Sequence, residues 1–147
     1  MEIKKEEVLK RHLIEKGEFT EEELQEEITE GYRESLFDVC GREYLVLTED
    51  EREKEVTEYI KESLWAFNSS FLAGETELPE EVFKALNEKY EDGNEAILKI
   101  VEKTCGLESF VDAATSADGY GHFLNPYDGE EGEIKEGDNW FYIYRVN

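Results

Sequence analysis

Thirty-nine of the 147 residues are Asp or Glu and sixteen are Lys or Arg, which leaves a formal net charge of −23 at pH 7. This imbalance constrains the fold before any pattern is read. A carboxylate has to stay in water or find a cation, so the core must come from the apolar residues alone. They suffice. Hydrophobic residues make up 39% of the chain and aromatics 12%, whereas acidic disordered chains are poor in aromatics. The length fits one domain, and a chain of this size buries roughly 68–70% of its unfolded surface. We therefore expect a single acidic domain over residues 1–147. The charge lies far outside the magnitude of roughly 2–8 that suits a small soluble domain, and its self-repulsion costs stability. It is no detachable tail: residues 1–31, 32–62, 63–104 and 105–147 carry −6, −5, −5 and −7. Glutamate dominates and lysine is not rare, so a halophile's composition fits less well than a function that uses the negative field.

Apolar spacing predicts helices at both ends of a β-rich insert. Residues 2–16 form a first helix with Ile3, Leu9, Leu13 and Ile14 on its apolar side and Gly17 as its stop. "TEEELQEEI" predicts a short second helix, with Thr20 and Glu23 as a capping box and Leu24 and Ile28 as its anchors. "SLFDVCGREYLVLT" reads as two strands around a turn at Gly41–Arg42. Thr48 and Glu51 then cap a long helix from about 49 to 72, with Val56, Tyr59, Ile60, Leu64, Phe67 and Phe71 facing the core and Trp65 beside them. Pro79 suits the first turn of the next helix. Two more helices follow, one from about Asn94 to a stop at Gly106 and a short one over "LESFVDAATSA". "NWFYIYRV" reads as a last strand that pairs with residues 43–47. The expected class is α+β, five or six helices on a small antiparallel sheet with the C-terminal strand in it.

The chain carries no strong reaction signature. Cys40 and Cys105 stand far apart with no CxxC spacing and read as reduced thiols. The N-terminus has no apolar run of the signal-peptide kind, and no stretch approaches the roughly 20 apolar residues of a membrane span. A cytoplasmic protein is expected. Neither Ser69 nor Ser70 sits in a G-x-S-x-G turn, and no phosphate-cradling glycine loop or HExxH is present. We expect no catalytic residue and no cofactor. One segment is open to a second reading. In "DGYGHFLNPYDGEE", His122 with Asp118 and Asp128 would suit a base or a metal ligand set. That alternative makes the chain a small metal-dependent hydrolase or ligand-binding protein. The plainer reading takes "NPYDG" as a turn feeding a strand, with Gly119 and Gly121 permitting tight backbone.

Membrane surfaces and nucleic acids are themselves anionic, so neither is an expected direct partner. A basic protein surface is. Carboxylates arrayed on a rigid surface can imitate duplex DNA, which bears one charge per roughly 1.7 Å of axis. Two runs stand out as partner-binding candidates. One is Glu21, Glu22, Glu26 and Glu27. The other is Asp128, Glu130, Glu131, Glu133, Glu136 and Asp138, with Lys135 as the one cation within it.

The middle "YLVLTEDE…SLWAFN" and the ending "ADGYGHFLNPYDGEE…WFYIYRVN" resemble an uncharacterised family of small acidic bacteriophage and prophage proteins. The resemblance spans about residues 43–72 and 94–147 and supplies no catalytic residue. Tyr120 stands where the pattern leads one to expect Arg. What the resemblance implies is a phage origin and a place in the host cell. Small acidic phage proteins often antagonise host defence nucleases, including restriction and CRISPR systems. The expected function is therefore binding to a basic surface of a nucleic-acid-handling protein, a DNA-mimic inhibitor being its sharpest form. A phage accessory protein without an inhibitory role is the blander alternative.

Overall fold

The computed structural model describes residues 5–24, 28–31 and 33–147. Among them the chain is α+β, with seven α-helices and a five-stranded antiparallel sheet that includes the C-terminal strand. It divides into two compact units, residues 1–54 with 120–147, and residues 55–119.

The first unit holds α1 (Lys5–Glu15), β1 (Ile28–Glu30), β2 (Leu36–Val39), β3 (Arg42–Thr48), the start of α2 (Glu49–Glu62), α7 (Tyr120–Leu124), β4 (Gly132–Glu136) and β5 (Asn139–Arg145). The strand order is β1-β2-β3-β5-β4. Strand β5 pairs with β3 from Tyr44 opposite Arg145 to Thr48 opposite Phe141, as the sequence predicts for 43–47. The central strands are buried without alternation: Tyr44 to Leu47 on β3 and Phe141 to Tyr144 on β5. Such runs signal cover on both faces of a sheet. On one face, Val8, Leu9 and Leu13 of α1 pack with Val39, Val46, Phe141 and Ile143. Burying each of these side chains stabilises by about 1.5–3 kcal/mol. Helix α1 closes as predicted at Gly17, whose φ of 75° suits glycine. The Glu18 N–H there returns to the Leu13 carbonyl at 3.2 Å. The β2–β3 turn sits one residue earlier than predicted, on Cys40 and Gly41. Both have positive φ, as a two-residue type I′ hairpin requires.

The predicted helix over "TEEELQEEI" does not appear among the described residues. Its capping box does form, with the Glu23 N–H on Thr20 Oγ1 at 3.2 Å and the Thr20 N–H on Glu23 Oε1 at 3.0 Å. Only a turn follows at residues 21–24, and Ile28 joins β1 opposite Val39. Residues 25–27 lie outside the described residues. One cap cannot offset the cost of nucleation when sheet pairing takes one of the two anchors.

The second unit holds the rest of α2, then α3 (Ser69–Thr76), α4 (Glu80–Asn87), α5 (Asn94–Lys103) and α6 (Leu107–Asp118). The long helix expected over 49–72 is broken. Helix α2 stops at Glu62, a short 3₁₀ turn covers Leu64–Ala66, and Phe67 is extended. The reasons are local and tertiary together. Ser63 Oγ donates back to the Tyr59 carbonyl at 2.6 Å, and Asn68 Oδ1 accepts from the Ser70 N–H at 2.8 Å, capping α3. Asn94 then bridges the gap. Its Nδ2 donates to the Lys61 carbonyl at 2.9 Å, and its Oδ1 accepts from the Trp65 N–H at 3.1 Å. Asn87 Nδ2 takes the Phe67 carbonyl at 2.9 Å. Phe67 and Phe71 still reach the core, against Phe110 at 5.2 and 5.4 Å between ring centres. Pro79 immediately precedes α4 as its N-cap. Helix α6 covers the expected "LESFVDAATSA" and one residue more, 12 residues in all. No helix among the described residues is long and apolar enough to cross a membrane.

Candidate functional site

The glycine-rich tail forms a loop organised by one side chain. Asn125 is 4% exposed. Its Oδ1 accepts from the N–H groups of Tyr127 and Asp128, each at 3.0 Å. Its Nδ2 donates to Asp128 Oδ1 at 2.6 Å and to the Glu130 carbonyl at 2.8 Å. Asp128 Oδ1 also accepts from the Glu130 N–H at 3.0 Å. Gly121 lies so close to the Gly129 carbonyl that a Cβ would collide with it. The loop leads into two strands, β4 and β5, rather than the one predicted.

His122 is exposed on α7 with its ring edge-on to Phe123, 4.9 Å between centres. Asp118 is exposed at the end of α6. Asp128 is held by Asn125. Among the described residues no three His, Cys, Asp or Glu side chains gather as a metal ligand set.

The loop's next carboxylate, Glu131, turns inward. It pairs with Arg52 of α2 at 3.3 Å, and the two side chains are 20% and 12% exposed. It also accepts the hydroxyl proton of Tyr144, a fully buried side chain. The Arg52 guanidinium lies between the rings of Tyr120 and Tyr142, 3.8 Å from each centre, and the Tyr120 hydroxyl donates to Glu53. Burial is the largest single influence on Arg52 and opposes its charge, but the Glu131 carboxylate together with Tyr142, Tyr144 and Tyr120 holds the guanidinium's pKa above its ordinary value. Burial and the bond to Glu131 push the Tyr144 phenol far above its usual range, so it stays neutral. Tyr120 thus has a stacking role that an Arg at the same place would replace with like-charge repulsion against Arg52.

Two carboxylates of the second candidate run are engaged by cations from elsewhere in the chain. Glu131 is neutralised by Arg52 and Glu136 by Arg11 of α1. Arg11 also donates to the Lys135 carbonyl at 2.8 Å on strand β4, at the end of the sheet order. Asp128, Glu130, Glu133 and Asp138 remain exposed, as do Glu21 and Glu22. Glu26 and Glu27 lie outside the described residues. Two more cations of the first unit also meet carboxylates. Lys5 bonds Glu51 at 2.7 Å and Ser35 at 2.6 Å, and Arg42 meets Glu18 at 3.6 Å. Arg145 lies over the Tyr127 ring at 3.5 Å.

Two acidic positions that the runs do not include join Asp138. Glu49 and Asp50, in the first turn of α2, border a cleft of about 440 Å³ together with Thr48, Lys5, Asp138, Asn139, Trp140 and Phe141. Trp140 is 43% exposed. Among the described residues Glu49, Asp50 and Asp138 form no ion pair. The sequence signal for this place is weak: an indole beside a turn, and carboxylates that any helix start favours.

No protein-family model matches the chain, and no curated protein and no solved structure matches it.

Proposed function

We propose that this chain is a phage-type acidic protein that binds a basic surface of a nucleic-acid-handling protein. Inhibition of a host defence enzyme, of the restriction or CRISPR kind, by carboxylates standing in for phosphates is its most specific form. One observation carries the reading. In the first unit Lys5, Arg11, Arg42 and Arg52 are consumed by internal ion pairs, while Glu21, Glu22, Glu49, Asp50, Glu133 and Asp138 are exposed without one among the described residues. These six carboxylates leave uncompensated negative charge on the surface of the first unit. A partner would be steered by that field and would meet carboxylates on β4, on the β4–β5 turn, on the first turn of α2 and on the 21–24 turn. The resemblance to acidic phage proteins adds a setting, the infected cell, in which blocking a basic groove has a purpose.

The test is competition. The chain is titrated into complexes of duplex DNA with basic DNA-binding enzymes, defence nucleases among them, at several salt concentrations. We expect displacement of DNA by at least one of them, and an affinity that falls roughly tenfold or more between about 50 and 200 mM salt. Binding whose affinity ignores salt, or no displacement from any basic enzyme, would refute the reading.

A further inference from the structure

We propose that the cleft beside Trp140 receives an arginine side chain from the basic partner, an inference that rests on the function proposed above and gives it a site. The cleft lies wholly within the first unit, between the first turn of α2 and the start of β5. Its volume of about 440 Å³ lies in the range of roughly 300–1,000 Å³ that holds a small ligand. It therefore admits a long side chain rather than a folded surface.

Charge decides which side chain. Glu49, Asp50 and Asp138 bring three carboxylates with no ion pair among the described residues. Lys5 lines the cleft too, but Glu51 and Ser35 hold its ammonium at 2.7 and 2.6 Å. Nor does the end of α2 need Glu49 and Asp50 for its N–H groups. Thr48 and Glu51 form the capping box, with the Thr48 N–H on Glu51 Oε1 at 2.9 Å and the Glu51 N–H on Thr48 Oγ1 at 3.3 Å. An anion is excluded by repulsion, and an apolar group would strand the carboxylates.

Trp140 then selects among cations. Its indole already has Lys135 Nζ at 5.9 Å from the ring centre, near the outer limit of about 6 Å for cation–π attraction, and it stays partly open to solvent. A guanidinium stacks on an indole and presents a planar fork to carboxylates, whereas an ammonium does neither.

The full-length chain is titrated with a hexa-arginine peptide and with hexa-lysine at 50 mM salt. The indole N–H resonance of Trp140, identified by its loss in Trp140→Phe, reports the cleft. We expect that resonance to move with hexa-arginine and hexa-lysine to bind more weakly. The triple variant Glu49→Gln, Asp50→Asn, Asp138→Asn should weaken hexa-arginine binding about tenfold or more. A control that removes equal charge elsewhere, Glu88→Gln, Glu91→Gln, Glu102→Gln, all exposed in the second unit, should weaken it less than about threefold. Equal losses in the two triple variants, or binding that leaves Trp140 unmoved, would overturn the cleft while the charge-based function stands. Failure of every form to bind hexa-arginine would remove both.

Discussion

Replacing Arg52 by methionine keeps most of the side chain's volume and removes its charge, so the variant isolates the electrostatics of the Glu131 site. In the native protein the side chain is 12% exposed and its partner Glu131 is 20% exposed. Two contacts at 3.8 Å to Tyr120 and Tyr142 are lost, each worth about 1 kcal/mol when partly desolvated. Glu131 is left with the Tyr144 hydroxyl as its main partner, in a place built for a cation. Breaking a buried pair costs about 3–5 kcal/mol, and residual exposure brings this toward the lower end. Methionine restores some apolar contact with the two rings. The expected loss is about 3 kcal/mol, or a Tm lower by roughly 6–12 °C for a chain of this size. Glu131→Gln should cost about 2 kcal/mol, because a glutamine oxygen can still accept from Tyr144. The double variant decides the reasoning. If the two charges act as a pair, it should cost at least about 1 kcal/mol less than the sum of the singles. Urea unfolding gives the energies, and hydrogen exchange of the β3 and β5 amides localises them. A loss below about 1 kcal/mol for Arg52→Met, or strict additivity, would show that the pair is a bystander to tyrosine packing.

Two further expectations follow from the same unit. Burial, with Lys16 adding to it, lowers the pKa of His12, while Glu18 and Glu15 pull it back, and the ring packs on Gly132. Above pH 6.5 His12 is neutral in both states and adds no pH dependence. Below that the unfolded chain binds the proton first, so stability falls as pH drops through 6.5 toward the lower folded value. Thermal melts from pH 7.5 to 5.5 should show a loss for the wild type that is smaller in His12→Asn, and an equal loss in both would refute it. Asn125→Ala strands the N–H groups of Tyr127 and Asp128 and the Glu130 carbonyl. It should destabilise by about 2–4 kcal/mol and raise exchange of the 125–131 amides, which a merely decorative asparagine would not do.

Several local features were legible from the residues alone because the partner lies a few positions away. The Thr48–Glu51 box, the Gly17 stop and Pro79 before α4 are of this kind, whereas the strand "NWFYIYRV" was legible from its β-branched and aromatic composition. The Thr20–Glu23 box marks the limit, since it formed without a helix behind it. In the tail, a turn feeding a strand was readable from "NPYDG", but the second strand was not. Residues 132–136 "GEIKE" have the composition of a polar loop, and only pairing with β5 and burial of Ile134 make them a strand.

The sequence by itself determined the sign and spread of the charge, because no fold can change a count of carboxylates, and it determined the α+β class through the period of its apolar residues. Which carboxylates are paired inside and which stay exposed was decided by tertiary structure alone. Arg52 reaches Glu131 across 79 positions and Arg11 reaches Glu136 across 125, while Glu49, Asp50 and Asp138 are brought around one indole. Charge–charge attraction depends on distance in space, and separation along the chain says nothing about that distance until the sheet has closed.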